Sequence, residues 1–186
     1  MIKQRKFTGG FTLIEVLVSV SIFSIVMLVS TGAVFSIVEA NKKAHTLKSV
    51  MTNLNFALES MARDIRVGSQ FSCNGAGDCA LGGTVFSYKA NRDVDGDNSA
   101  NDVVEYSLVG EGIQKEISGG AYPNTSIITA NEIHIILLKF YVIGTQPSPA
   151  DTKQPKVVIT IKGYAGAGNT KSDFNIQTTI SQRSID

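Results

Sequence analysis

One apolar run decides most of what this chain can become. From Phe11 to Val38 a single ionisable side chain, Glu15, stands among Val, Ile, Leu, Phe, Ser and Ala. As a helix this run would reach about 42 Å, enough for a tilted bilayer crossing. Ahead of it stand Lys3, Arg5 and Lys6, which the positive-inside rule keeps cytoplasmic. The rest of the chain is therefore expected outside.

A secretory signal fits poorly. Its apolar region should be about 7–15 residues long and end in a small-residue cleavage site. Here the small residues, Gly9 and Gly10, precede the run. A plain anchor fits better but gives no reason for a carboxylate in the fifth apolar position, where such a group is expensive and needs a partner. Cutting after Gly10 would supply one: the new amine of Phe11 lies one turn from Glu15, or meets the Glu15 of a neighbouring copy.

Gly10-Phe11-Thr12-Leu13-Ile14-Glu15-Val16-Leu17, behind its short basic leader, resembles the N-terminal signature of type IV prepilins and type II secretion pseudopilins. The resemblance implies cleavage between Gly10 and Phe11 by a membrane prepilin peptidase and N-methylation of Phe11. It also implies assembly of the apolar helices into a filament core, with Glu15 neutralising a neighbour's N-terminal amine. The partners implied are other pilin or pseudopilin subunits, an inner-membrane assembly platform and a cytoplasmic ATPase. The location implied is the inner membrane, in a single pass, and then a periplasmic or extracellular filament. Two shorter stretches, 58–66 and 174–183, are similar to the helix end and last strand of minor pilins and pseudopilins of the PilW and PulJ/GspJ type.

Length leaves room for the long helix and one further domain of about 120 residues. Loss of Lys3, Arg5 and Lys6 would take the formal charge from +1 to −2. That argues against a nucleic-acid grip driven by bulk charge. The expected division is a leader at 1–10, an apolar helix half at 11–38, an amphipathic half at 39–67 and a β-rich domain at 68–186. In the second half Leu47, Met51, Leu54, Leu58, Met61 and Ile65 form one stripe at steps of four and three. Gly32 is the weak point of the first half, and Gly68 should end the helix as a C-cap.

Residues 69–83, rich in Gly, Asn, Ser and Cys, read as a loop. Strands are expected at 84–89, 103–108, 113–117, 132–143, 156–164 and 174–183, with a tight turn at Val109-Gly110-Glu111-Gly112 and surface loops at 144–155 and 163–172. The fold class is α+β, a type IV pilin-like long N-terminal helix on an antiparallel sheet.

Cys73 and Cys79 enclose five residues. Outside the cytoplasm they should form a disulfide contributing about 2 kcal/mol, two free thiols being the plainer alternative. With no nearby His or further Cys, they do not fill a zinc shell.

Residues 91–102 carry oxygen ligands at the spacing of a calcium loop: Asn91, Asp93, Asp95, the Asp97 carbonyl, Ser99 and Asp102, with Gly96 at the sharp turn. Asn91 and Asp102 depart from the usual Asp and bidentate Glu, and strands rather than helices flank the loop. The plainer reading is an acidic solvated turn. Calcium, if bound, would order this loop.

Nothing supports catalysis. His45 and His134 have no Cys or His at metal spacing, and no nucleophile elbow or phosphate loop occurs. The sequence therefore points to a filament subunit, minor rather than shaft-forming. The rivals are a tip adhesin, and a DNA-uptake pilin gripping through Lys153, Lys156, Lys162 and Lys171. The second is disfavoured because these lysines are expected on opposing strand faces.

Overall fold

Thr12 starts the helix. Its side-chain oxygen accepts the Glu15 amide at 3.3 Å and its carbonyl accepts from Glu15 and Val16, so α1 runs Leu13–Val67 in the computed structural model. The structure describes residues 10–98, 100, 102–146, 153–166, 168 and 171–183. The leader residues 1–9, much of the 144–155 loop, part of the 163–172 loop and Ser99 lie outside them. The chain divides into two units, 1–42 and 43–186.

In the first unit every described residue is exposed, on every side of the helix. A window of α1 reaches mean hydropathy 2.4, long and apolar enough to cross a membrane. Four of its hydroxyls are spent within the helix: Ser19, Ser21, Ser24 and Thr31 each donate to the carbonyl four residues back, at 2.7–2.8 Å. An apolar surface all round, with these hydroxyls satisfied internally, suits hydrocarbon or packing against other helices.

In the second unit the remainder of α1 buries Val50, Leu54, Ala57, Leu58, Met61, Asp64 and Ile65. The stripe is thus centred between the expected positions. Leu47 and Met51 are only partly buried, while Val50, Ala57 and Asp64 join the interior. Among the described residues nine strands follow: β1 (Ser69–Cys73), β2 (Cys79–Gly83), β3 (Val85–Lys89), β4 (Val103–Val109), β5 (Gly112–Ser118), β6 (Asn124–Ile127), β7 (Ile133–Ile143), β8 (Lys156–Ala165) and β9 (Ser172–Ser181). They form two antiparallel sheets, ordered β1-β3-β4-β5-β6 and β2-β7-β8-β9. Alternate residues of both sheets enter one core with the helix stripe, and Phe86 of β3 stacks on Phe140 of β7 at 5.5 Å. In the β4–β5 hairpin, Gly110 has φ 62° at the first loop position, where a II′ turn takes glycine.

Several expectations are corrected. The long helix lies against antiparallel β-structure as expected, but in two sheets where one was anticipated. Residues 69–83 are not simply a loop, because β1 and β2 lie there as edge strands, one in each sheet. Short, bulged edges need little apolar alternation, and only Phe71 and Cys73 of β1 are buried. The fully exposed edge strand β6 escaped notice for the same reason. Gly68 is not a left-handed cap. The last helix carbonyls are met otherwise: Ile65 takes the Gly68 amide three residues on, while two find tertiary donors, Arg66 the Arg183 amide and Val67 the Asn91 side chain. Glycine is needed at 68 because a Cβ would stand 2.3 Å from the Tyr88 ring. Finally, Lys156 and Lys162 share one face of β8, since both lie an even number of residues from Tyr164, whose ring Lys171 covers at 3.9 Å.

Candidate functional site

The first site is the start of α1. Gly10 and Phe11 precede the helix and are exposed. Thr12 and Glu15 stand at the N-cap and third helical positions, the spacing of a capping box. Only half of the box forms. Thr12 receives the Glu15 amide, while among the described residues no donor reaches the Glu15 carboxylate. Sequence reading singled out Glu15 but missed Thr12, although Thr-x-x-Glu before an apolar run is a legible signal. The result is a carboxylate held at a fixed place on an apolar helix, with its charge unmatched among the described residues.

The cysteines form a disulfide, Cys73–Cys79, with Cα atoms 6.0 Å apart. It joins the edge strand of one sheet to the edge strand of the other. The enclosed loop is fastened on both sides. Asn74 accepts the Thr84 and Val85 amides, and Asp78 accepts the Gly144 amide and the Thr145 amide and hydroxyl. Partial burial opposes ionisation of Asp78, but the donors from Thr145 and Gly144 prevail and hold its carboxyl below the ordinary value.

The acidic loop between β3 and β4 splits the expected ligand set. Asn91 is occupied elsewhere, donating to Val67 and accepting from the Ser69 hydroxyl, so it does not join the cluster. Asp93, Asp95 and Asp102 do converge, one oxygen from each lying within 4.8 Å of the others. Asp93 accepts the Gly96 and Asn98 amides, and the Gly96 contact, with help from Asn98, keeps its carboxyl below the usual value. Asp95 accepts the Asp97 and Tyr122 amides, and Asp97 accepts that of Ala121. These last bonds bring in the segment after β5, which sequence reading did not connect with the loop. Glycine at 120 permits the approach, since a Cβ there would stand 2.1 Å from Asp95 Oδ2 and 2.5 Å from Asp102 Oδ1. Ser99 lies outside the described residues.

A family model described as the prokaryotic N-terminal methylation motif matches residues 5–31. That match contains Gly10, Phe11 and Glu15, and it supports a type IV pilin-like or pseudopilin subunit, a class that assembles with other pilin subunits and is processed by a prepilin peptidase. The apolar helix start is consistent with membrane anchoring before assembly. No curated protein and no solved structure gives a significant match.

Proposed function

We propose that the chain is a minor pilin or pseudopilin, a structural and not a catalytic subunit of a type IV pilus or type II secretion filament. It enters the inner membrane through α1 with its C-terminus outside the cytoplasm. Prepilin peptidase cuts after Gly10, Phe11 is N-methylated, and the helix leaves the bilayer for the filament through an assembly platform. Glu15 pairs with the N-terminal amine of a neighbouring subunit during that transfer. The observation that carries this reading is the Glu15 carboxylate, unpartnered among the described residues, at the start of a helix apolar on every side, inside the matched motif. A carboxylate placed in hydrocarbon needs a partner, and an amine created four residues away can supply it.

The test is intact mass and N-terminal sequencing of protein from its native membrane, with and without active prepilin peptidase. A chain starting at Phe11, heavier by one methyl group, is expected only with the peptidase. A chain still starting at Met1 beside active peptidase would overturn the reading. Glu15→Ala should be cleaved normally yet fail to enter filaments; unchanged assembly would remove its assigned role.

A further inference from the structure

We propose that Asp93, Asp95 and Asp102 form a calcium site that clamps the β3–β4 loop to the segment following β5. Clustered carboxylates alone would not carry this, because the backbone amides already described stabilise much of the loop. The decisive group is Asp102. It is fully buried, its Oδ2 accepts the Val94 and Asp95 amides, and its Oδ1 has no hydrogen-bond partner among the described residues. An uncompensated carboxylate oxygen away from water is costly, and such charges are paired or coordinate metals. Among the described residues, no Lys, Arg or His forms an ion pair with Asp93, Asp95 or Asp102.

The orphan oxygen also points where a cation would be useful. Asp102 Oδ1 and Asp95 Oδ2 both lie within 2.5 Å of the point a Cβ on Gly120 would occupy. The absent side chain leaves the two oxygens facing a common space, and Asp93 adds a third from the exposed side. The donors are all oxygen and mostly charged, the set preferred by hard cations. Calcium is favoured over magnesium because it takes carboxylates directly at about 2.3–2.6 Å in irregular geometry, whereas magnesium keeps several waters in a near-ideal octahedron. Water can complete the shell on the exposed Asp93 side. The site is smaller than the loop pattern suggested: it omits Asn91 and draws its wall from Gly120.

The experiment uses the full chain in detergent micelles, with calorimetric titration and thermal melts in EDTA, CaCl2 and MgCl2. Calcium at a hundredfold excess over Kd should raise Tm by about 5–10 °C, and magnesium at the same concentration should do far less. Asp102→Asn should abolish the calcium shift yet melt no lower than the unsubstituted chain in EDTA, because it removes the unpaired buried charge. If Asp102→Asn does not fold, the exposed Asp93→Asn reads the same site and should weaken calcium binding about tenfold or more. No binding heat and no shift up to about 10 mM calcium would overturn the proposal. So would a full shift retained in the substituted chains.

Discussion

The two ends of α1 are made of the same secondary structure and solve opposite problems. Up to Lys42 the helix exposes apolar side chains in all directions, ties four hydroxyls back to its own carbonyls and carries in its first turn a carboxylate, Glu15, that no described residue pairs with. From Lys43 onward it buries Val50, Leu54, Ala57, Leu58, Met61 and Ile65 at helical spacing and leaves charged residues in water. Its buried carboxylate, Asp64, is met by Lys115 at 2.9 Å and by Arg92. The difference teaches that the second stretch is complete within its own chain, whereas the first requires hydrocarbon or another subunit.

The largest effect that tests this contrast comes from paired truncations. Leu54→Ala should cost the folded domain about 3–5 kcal/mol, because Leu54 is fully buried and leaves a cavity. Leu28→Ala, at an exposed position, should leave denaturant unfolding of the domain within about 0.5 kcal/mol and alter membrane retention or assembly instead. Equal losses in both would break the comparison.

The carboxylates offer the next test. Asp64→Ala should cost about 3 kcal/mol, since the half-enclosed Lys115 ammonium is left without its counter-ion. Adding Lys115→Met should recover much of that loss, and a double-mutant cycle by urea unfolding measures the coupling. Glu15→Ala, in contrast, should leave unfolding unchanged. A cycle showing no coupling between Asp64 and Lys115 would mean that the second stretch does not settle its charges internally.

How much of this was legible follows from the same division. The apolar run, Glu15 and the long regular strands β7, β8 and β9 announce themselves, because period and composition are local properties. Asp64 did not: an Asp in a run of Arg and Glu reads as solvated until Lys115 is brought to it from 51 positions away. The edge strands β1, β2 and β6 were also hidden, since pairing rather than alternation makes them strands. In the acidic loop the three converging aspartates were legible. The loss of Asn91 to the helix end and the role of Gly120 were not, because each depends on a contact distant in sequence.

Two glycines sharpen the contrast further. Gly68→Ala should cost about 1–3 kcal/mol, because the added methyl meets the buried Tyr88 ring, which has no room to turn. Gly32→Ala meets nothing within 4 Å and should be neutral or gain up to about 1 kcal/mol of helix stability in detergent. Thermal melts followed by helical circular dichroism distinguish the two. If Gly32→Ala nevertheless blocks assembly, the contact it disturbs belongs to a neighbouring subunit, which is where the first stretch is argued to find its partners.

The smallest effect marks an exception within the self-contained part. Glu105 of β4 sits directly across from Glu116 of β5. Burial, reinforced by the Glu116 charge, raises the Glu105 carboxyl above its ordinary value. The sign follows: the folded state holds the proton more tightly than the unfolded chain, so stability falls as pH rises through the raised value. Glu105→Gln removes that loss. At pH 7 it should stabilise the domain by a few tenths of a kcal/mol, a small gain because Glu105 is only partly buried and the repulsion is screened. The advantage should shrink as pH drops to about 4 and vanish below it, where both states are protonated. Urea unfolding of both chains at pH 7 and pH 4 reads it directly. A destabilised Glu105→Gln would instead mean that this pair holds a bound cation or a basic group from another subunit, and the second stretch too would then lean on a partner.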